Sequence, residues 1–482
     1  MHADPALLSA AELRRLYRTK QLSPVETTRA VLARIERFDP EVNAFCLVDG
    51  ERALAAARES EARWHEGAPC GLLDGVPATI KDLVMTKDWP TLRGSLVIKR
   101  DQPWDEDAPA TARLREHGAV LVGKTTTPEF GWKAVTDCAL TGITRNPWDT
   151  GKTPGGSSGG AAVAAALGLG VLHVGSDGGG SIRIPAGFTG IFGLKPSFGR
   201  VPAWPASPFG TVAHVGPMTR SVGDAALMLN VLALPDSRDW FALPYDGRDY
   251  RISLEDGVRG LRIAFSPTLG FVDVAPEVAA LVADAAGAFV ELGASVEQVD
   301  AVMDDPLEIF APHWYVGAAN LLRGFTAEQR AKMDEGLQEI AAAGAQIPLM
   351  DHLTAVRRRA DLGAHMRRFH ETYDLLLTPT LPLAAFEAGR ERPDPASQPR
   401  WFNWAPFSNP FNLTQQPAAS VPCGLTAAGL PVGLQIVGPM HADALVLRAA
   451  RAFEAACPWP LPEAPRRPSV DRTAHHHSTK RA

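Results

Sequence analysis

The residues with chemistry in them fall in one glycine- and serine-rich passage. Gly155-Gly156-Ser157-Ser158-Gly159-Gly160 is followed by Gly175-Ser176-Asp177-Gly178-Gly179-Gly180-Ser181-Ile182-Arg183-Ile184-Pro185. Thirteen of the forty residues from Gly151 to Gly190 are glycine, which removes side chains and lets backbone N–H groups turn toward a reacting carbonyl. Ser181 directly follows three glycines, so the amides of Gly178, Gly179, Gly180 and Ser181 are placed to hold an oxyanion. In acyl transfer one such preorganised donor is typically worth about 3 to 4 kcal/mol of transition-state stabilisation. A serine hydroxyl also needs a base, and a lysine can serve only when it is neutral. Lys81 stands in the apolar run Val76-Pro77-Ala78-Thr79-Ile80-Lys81-Asp82-Leu83-Val84, which reads as a buried strand. Burial disfavours the ammonium and lowers a lysine pKa by up to about 3 to 5 units. Asp82 follows at once, but strand alternation directs it to the opposite face, away from the lysine.

Each piece has a plainer reading. A Gly/Ser run by itself is more often a flexible linker. Here, however, Gly159 opens into Ala161-Ala162-Val163-Ala164-Ala165-Ala166-Leu167, a helix-forming run. A lone lysine in an apolar strand is usually an edge residue that snorkels its charge to water. Gly155 to Gly159 also fits the G-x-S-x-G nucleophile elbow, which demands a histidine partner. His173, His214, His313, His352, His365, His370 and His441 all sit in unsuggestive contexts, and Thr150 to Pro154 is a turn sequence rather than the strand an elbow needs. Gly118-Ala119-Val120-Leu121-Val122-Gly123-Lys124-Thr125 satisfies the P-loop pattern letter for letter. Its central Ala-Val-Leu-Val is strand-like, and Pro128 falls where the phosphate-binding helix should run. A helix ending near Gly118 and a buried strand through Val122 is the better reading.

In order and approximate spacing, the lysine and the two serine motifs resemble the amidase signature family, whose hydrolases use a Ser-cisSer-Lys triad. The resemblance assigns Ser181 as nucleophile, Ser157 as the bridging serine and Lys81 as the base. Ser158, Asp177 and Arg183 then hold backbone and hydroxyl directions, Arg183 as a structural ion pair rather than as a site for an acidic substrate. It implies a single α/β domain over residues 1–463, with a central mixed, mostly parallel sheet covered by helices on both faces. Within it fall N-terminal helices at 5–65, the signature core at 66–235, a variable substrate-entrance region at 301–400 and a C-terminal block at 401–458. Residues 464–482, including His475-His476-His477, are expected to be a disordered tail.

The implied activity is hydrolysis of small neutral aryl or alkyl amides through a seryl acyl-enzyme, with esterase side activity. A urethanase-like or aryl-acylamidase-like member is expected. Carbamate hydrolysis is the alternative, and the glutamine-hydrolysing component of a tRNA-dependent amidotransferase complex is another. The middle region lacks the pattern expected of the latter. Loop aromatics suggest an apolar cleft, with Trp132, Trp204, Phe209 and the Trp401-Phe402-Asn403-Trp404 segment as candidates. Thr136, Asp137 and Gln415 complete the expected pocket. Two residues depart from the family pattern: Gly178, where threonine is common, and Gln415, where glycine is usual.

The elements that must position these residues announce themselves locally. Ser9-Ala10-Ala11-Glu12 and Ser23-Pro24-Val25-Glu26 are capping boxes that start helices ending near Lys20 and Phe38. From Gly75 to Leu232 strands alternate with helices, which argues an α/β architecture. Between 301 and 400, helices are expected over Ala327–Ala343 and Asp351–Tyr373. At 482 residues and 45% hydrophobic the chain can bury a large core, while a net charge of −6 argues against nucleic acid as partner. Five scattered cysteines (46, 70, 138, 423 and 457) offer neither disulfide framework nor zinc site, so no metal or cofactor is expected. With neither a signal region nor a membrane span, a soluble cytoplasmic monomer or homodimer acting on a small amide, carbamate or ester is expected.

Overall fold

The structure is a computed structural model and describes residues 4–467; the His475–His477 cluster lies outside them. Strands are β1 (Phe45–Val48), β2 (Pro77–Lys81), β3 (Val120–Thr125), β4 (Asp137–Cys138), β5 (Gly142–Ile143), β6 (Leu172–Asp177) and β7 (Phe192–Lys195). They continue as β8 (His214–Thr219), β9 (Arg262–Phe265), β10 (Ser295–Gln298), β11 (Leu375–Pro379), β12 (Ala418–Leu425) and β13 (Pro431–Val437). β4 and β5 pair only with each other, and the other eleven form one sheet in the order β1-β3-β2-β6-β8-β7-β12-β13-β11-β9-β10.

The sheet is mixed, as expected, but its parallel share is smaller than expected. β2 runs parallel to β3 and β6, and β9 to β10 and β11. The other six neighbouring pairs are antiparallel. Connection length explains the division. Helices Pro109–Glu116 and Gly159–Ala166 supply the crossovers that parallel neighbours require. By contrast β8 inserts in reverse between β6 and β7, and a short turn at Thr426–Leu430 folds β12 onto β13.

Alternation along the strands shows that both faces are covered. Ile263, Phe265, Leu375 and Leu377 join a core cluster with helices Val222–Leu232, Pro276–Glu291 and Asp443–Ala456. Their neighbours Ala264 and Leu376 face the other way, against Met366, Phe407 and Phe411. At the opposite end of the sheet, Val120 and Val122 pack against helices Pro24–Val42 and Gly159–Ala166.

Both capping boxes form, starting helices Ala10–Arg18 and Pro24–Val42. The second helix outruns its expected end and stops at Asn43, held left-handed at φ 52, where the Asp39 carboxylate accepts from the amides of Ala44 and Phe45. The expected helix over 327–343 divides at Asp334, whose side chain caps a new helix, Glu335–Ala345. A helix the pattern did not announce spans Leu307–Leu322 in spite of Pro312, because Phe310, Trp314 and Ala318 bury one stripe of it. The last described residues are tied down rather than loose. Arg466 exchanges backbone hydrogen bonds with Pro147 and Thr150, and its guanidinium lies 5.0 Å over the Trp148 ring.

Candidate active site

β2 and β6 lie side by side in parallel, so Lys81 at the end of one strand meets Ser176 and Asp177 at the end of the other. Lys81 is fully buried, with Nζ 2.7 Å from Ser157 Oγ, 2.8 Å from Ser158 Oγ and 3.0 Å from Ser176 Oγ. Burial pushes its ammonium well below lysine's ordinary range, and the charge of Asp177 opposes this only in part. Asp82 turns away from Lys81 and pairs with Lys124 at 2.9 Å. Lys124 lies within buried β3, so the segment matching a phosphate loop is a strand of the sheet.

Ser157 follows a cis peptide bond from Gly156. Thr136 clamps this loop: its Oγ1 donates to the Gly155 carbonyl at 2.8 Å and accepts from the Gly159 amide at 3.1 Å. Ser158 Oγ donates to the Ser176 carbonyl, and the Ser158 amide donates to the Ser181 carbonyl at 3.1 Å. Ser181 is 6% exposed and lines one cavity together with Ser157, Ser176 and Gly178. No histidine bonds to Ser157 or Ser181 among the described residues. His214 lines the cavity, but its Nδ1 lies 2.8 Å from the Val212 carbonyl.

Asp177 organises the glycine loop. Its carboxylate accepts from the amides of Gly180 at 2.7 Å and Ile182 at 3.1 Å, and from Arg183 Nε and Nη2 at 3.0 and 2.9 Å. Burial works against this charge, yet the Arg183 guanidinium holds the carboxyl well below its usual range. The remaining Arg183 donors reach Ser408 O, Gln435 Oε1 and Asn412 Oδ1. Arg183 is therefore sealed in the core, outside the cavity lining. The Gly180 amide, expected to face an oxyanion, is spent on Asp177, because the tight turn brings it onto the carboxylate. Among the described residues the amides of Gly178, Gly179 and Ser181 remain without a partner.

The cavity, of about 240 Å³, has the size for a small molecule. Of the expected wall residues it contains Trp204 and Phe209, the latter stacked on Trp314 at 3.8 Å. The others lie elsewhere. Trp132 is buried in an aromatic cluster, where its carbonyl accepts from Trp314 Nε1. Asp137 pairs with Lys133, Thr136 serves the Ser157 loop, and Gln415 donates to the Thr211 carbonyl from behind the wall. Trp401 packs beneath Gly179, and Trp404 stacks on Phe188. Space missing at Gly178 is taken by Trp314, which a Cβ there would meet at 3.0 Å. Sequence reasoning missed Ser176, Ser408, Asn412 and Gln435. Only Ser176 carried a local signal, as a hydroxyl inside the motif itself.

A fold of this topology, with a buried lysine among serine hydroxyls beside a glycine loop, belongs to a class of amide hydrolases. The chain belongs to the amidase family, whose family model matches residues 26–447, and it hydrolyses amide C–N bonds. It is 39% identical over 459 residues to an acylamidase of Rhodococcus erythropolis, covering 94% of this chain and 96% of that one. It is 38% identical over 480 residues to a glutamyl-tRNA(Gln) amidotransferase component, the A-type polypeptide, of Myxococcus xanthus, covering 93% and 96%. A crystal structure of a bacterial aryl acylamidase superposes with a TM-score of 0.87 at 34% identity, covering 94% of this chain and 96% of that one. Among the described residues no helix is long and apolar enough to cross a membrane.

Proposed function

We propose that the chain hydrolyses small aryl or alkyl amides through an acyl-enzyme at Ser181, with Lys81 as base and Ser157 as relay. The observation that carries this reading is the 2.7 Å approach of a fully buried Lys81 Nζ to Ser157 Oγ. Neutral Lys81 takes the Ser157 proton as Ser157 takes that of Ser181. Ser181 Oγ then bonds to the substrate carbonyl carbon, and the oxyanion rests on the amides of Gly178, Gly179 and Ser181. Collapse breaks the C–N bond, the relayed proton goes to the leaving nitrogen, and water cleaves the resulting ester by the same route. Esters follow as side substrates, since an alkoxide of low basicity departs without needing that proton. Trp204, Phe209, Phe130 and Trp314 give the cavity aromatic walls suited to an aryl group.

Two further readings share the chemistry. Carbamates present the same carbonyl to the same groups. The Myxococcus xanthus relative favours a role as one component of an amidotransferase complex. A panel of anilides, aliphatic amides, carbamates and p-nitrophenyl esters given to the purified chain decides among them. Anilide turnover by the chain alone supports the proposal; glutaminase activity that appears only with partner proteins overturns it in favour of the amidotransferase role.

A further inference from the structure

The expectation of a neutral substrate rested on Arg183, which is sealed in the core. A second arginine, Arg93, lines the cavity beside Leu83, Phe130 and Gly131. A Cβ on Gly131 would meet Ser157 Oγ at 3.2 Å, so this wall abuts the reacting serines. Among the described residues the Arg93 guanidinium has no carboxylate within 4.0 Å and makes no hydrogen bond. Asp82, a carboxylate whose charge acts on Arg93, is paired with Lys124 at 2.9 Å.

Other charged or titratable groups lining the cavity are already matched. Arg238 grips Asp236 at 2.9 and 2.7 Å and lies 4.9 Å over the Trp204 ring. The Asp239 carboxylate accepts from the amides of Ala203 and Phe241. Burial keeps the His214 imidazole neutral. Arg93 thus brings a cation without a direct partner to a cavity whose lining is mostly apolar, a desolvation cost that an anionic ligand relieves. Its backbone is built for the position. Arg93 sits left-handed at φ 57 and its carbonyl accepts from the amide of Phe130, itself left-handed at φ 50, at 2.7 Å. Such conformations cost about 1 to 2 kcal/mol in residues that carry a Cβ and persist where the surroundings impose them.

We propose that Arg93 determines specificity by receiving a carboxylate carried on the amide substrate away from the scissile carbonyl. The inference rests on the hydrolase reading above and sharpens its substrate class to apolar amides with an acidic end.

Two matched pairs test it: glutaranilic acid against valeranilide for the acyl side, and 4-acetamidobenzoate against acetanilide for the leaving side. In at least one pair the acid is expected to have the higher kcat/KM by roughly tenfold or more, mostly through KM. Arg93→Gln is expected to erase that ratio, and Arg93→Lys to restore part of it, because the ammonium keeps the charge without the planar fork. The ratio is taken within one protein, so a general loss of fold cancels. Binding is read separately in a Ser181→Ala background, by quenching of tryptophan fluorescence with 4-acetamidobenzoate and glutaranilic acid against their neutral partners. Adding Arg93→Gln is expected to weaken the acid's binding by roughly tenfold. Equal kcat/KM within both pairs overturns the proposal, as does a ratio that survives Arg93→Gln. If no amide is turned over, the hydrolase reading fails by itself, and equal binding of acid and neutral partner, or acid binding unchanged by Arg93→Gln, then overturns the role of Arg93.

Discussion

Arg183 holds Asp177 through two contacts, Nη2 to Oδ1 at 2.9 Å and Nε to Oδ2 at 3.0 Å, with both side chains fully buried. The same carboxylate takes the Gly180 amide, so the ion pair sets the shape of the loop from which Gly178, Gly179 and Ser181 present their amides. The pair belongs to the scaffold of the site, since neither residue lines the cavity.

Removing one partner tests that statement. Arg183→Met leaves a buried carboxylate without its cation and is expected to cost about 3 to 5 kcal/mol of stability. The midpoint of urea unfolding measures it. A midpoint equal to that of the unsubstituted chain would show that the pair contributes nothing.

Ser181→Ala is expected to abolish amide and ester turnover with little change in unfolding midpoint, because one oxygen is removed from a site lined by glycine. A fluorophosphonate is expected to label Ser181. Mass spectrometry that finds the label on Ser157 or Ser158, with Ser181 unmodified, would return the elbow reading.

Lys81 links activity to pH. With its folded pKa well below the ordinary 10.5, anilide hydrolysis is expected to fall as pH drops through the depressed value and to stay high on the alkaline side. Lys81→Ala should cost several orders of magnitude and remove the acidic limb, with Ser157→Ala nearly as damaging and the double variant far from additive. Stability carries its own sign. Between the depressed value and 10.5 the unfolded chain binds more protons than the folded one, so raising the pH stabilises the fold. Melting temperatures of the unsubstituted chain should therefore gain on those of Lys81→Met as pH climbs through that window. A constant difference would mean Lys81 is charged in the fold.

Gly179→Ala probes the loop from the other side. A Cβ there would lie 2.5 Å from Trp401 Cη2 and 2.9 Å from Phe310 Cζ, both on rigid rings. The expected result is an overpacking cost of about 1 to 3 kcal/mol and a larger proportional loss of kcat than of stability. Normal kcat would show that the oxyanion amides keep their places when this packing is strained.

Much was legible because it is local. The capping boxes depend on residues three apart, the glycine loop on residues in one turn, and the buried character of β2 on its own five side chains. The same holds for Lys81, Ser157 and Ser181, whose motifs are contiguous and which the structure brings to one place. The pocket was legible only in part. Trp132 and Asp137 have the right chemistry, but side-chain direction depends on what packs against them, and the Trp132 ring lies against Gly336 of helix Glu335–Ala345 while Lys133 captures Asp137.

By itself the sequence determined the short segments that hold Lys81, Ser157 and Ser181, the residues proposed to carry the chemistry, since those preferences act over one or two turns of chain. The tertiary structure alone decided who their partners are. Ser408, Asn412 and Gln435 reach Arg183 from 225, 229 and 252 residues away, delivered by the C-terminal strands and by the short helix Asn409–Leu413. No local pattern encodes such meetings. They follow from sheet order, which is settled by burying both faces of eleven strands at once, and the same packing left Arg93 lining the cavity with no ion-pair partner among the described residues.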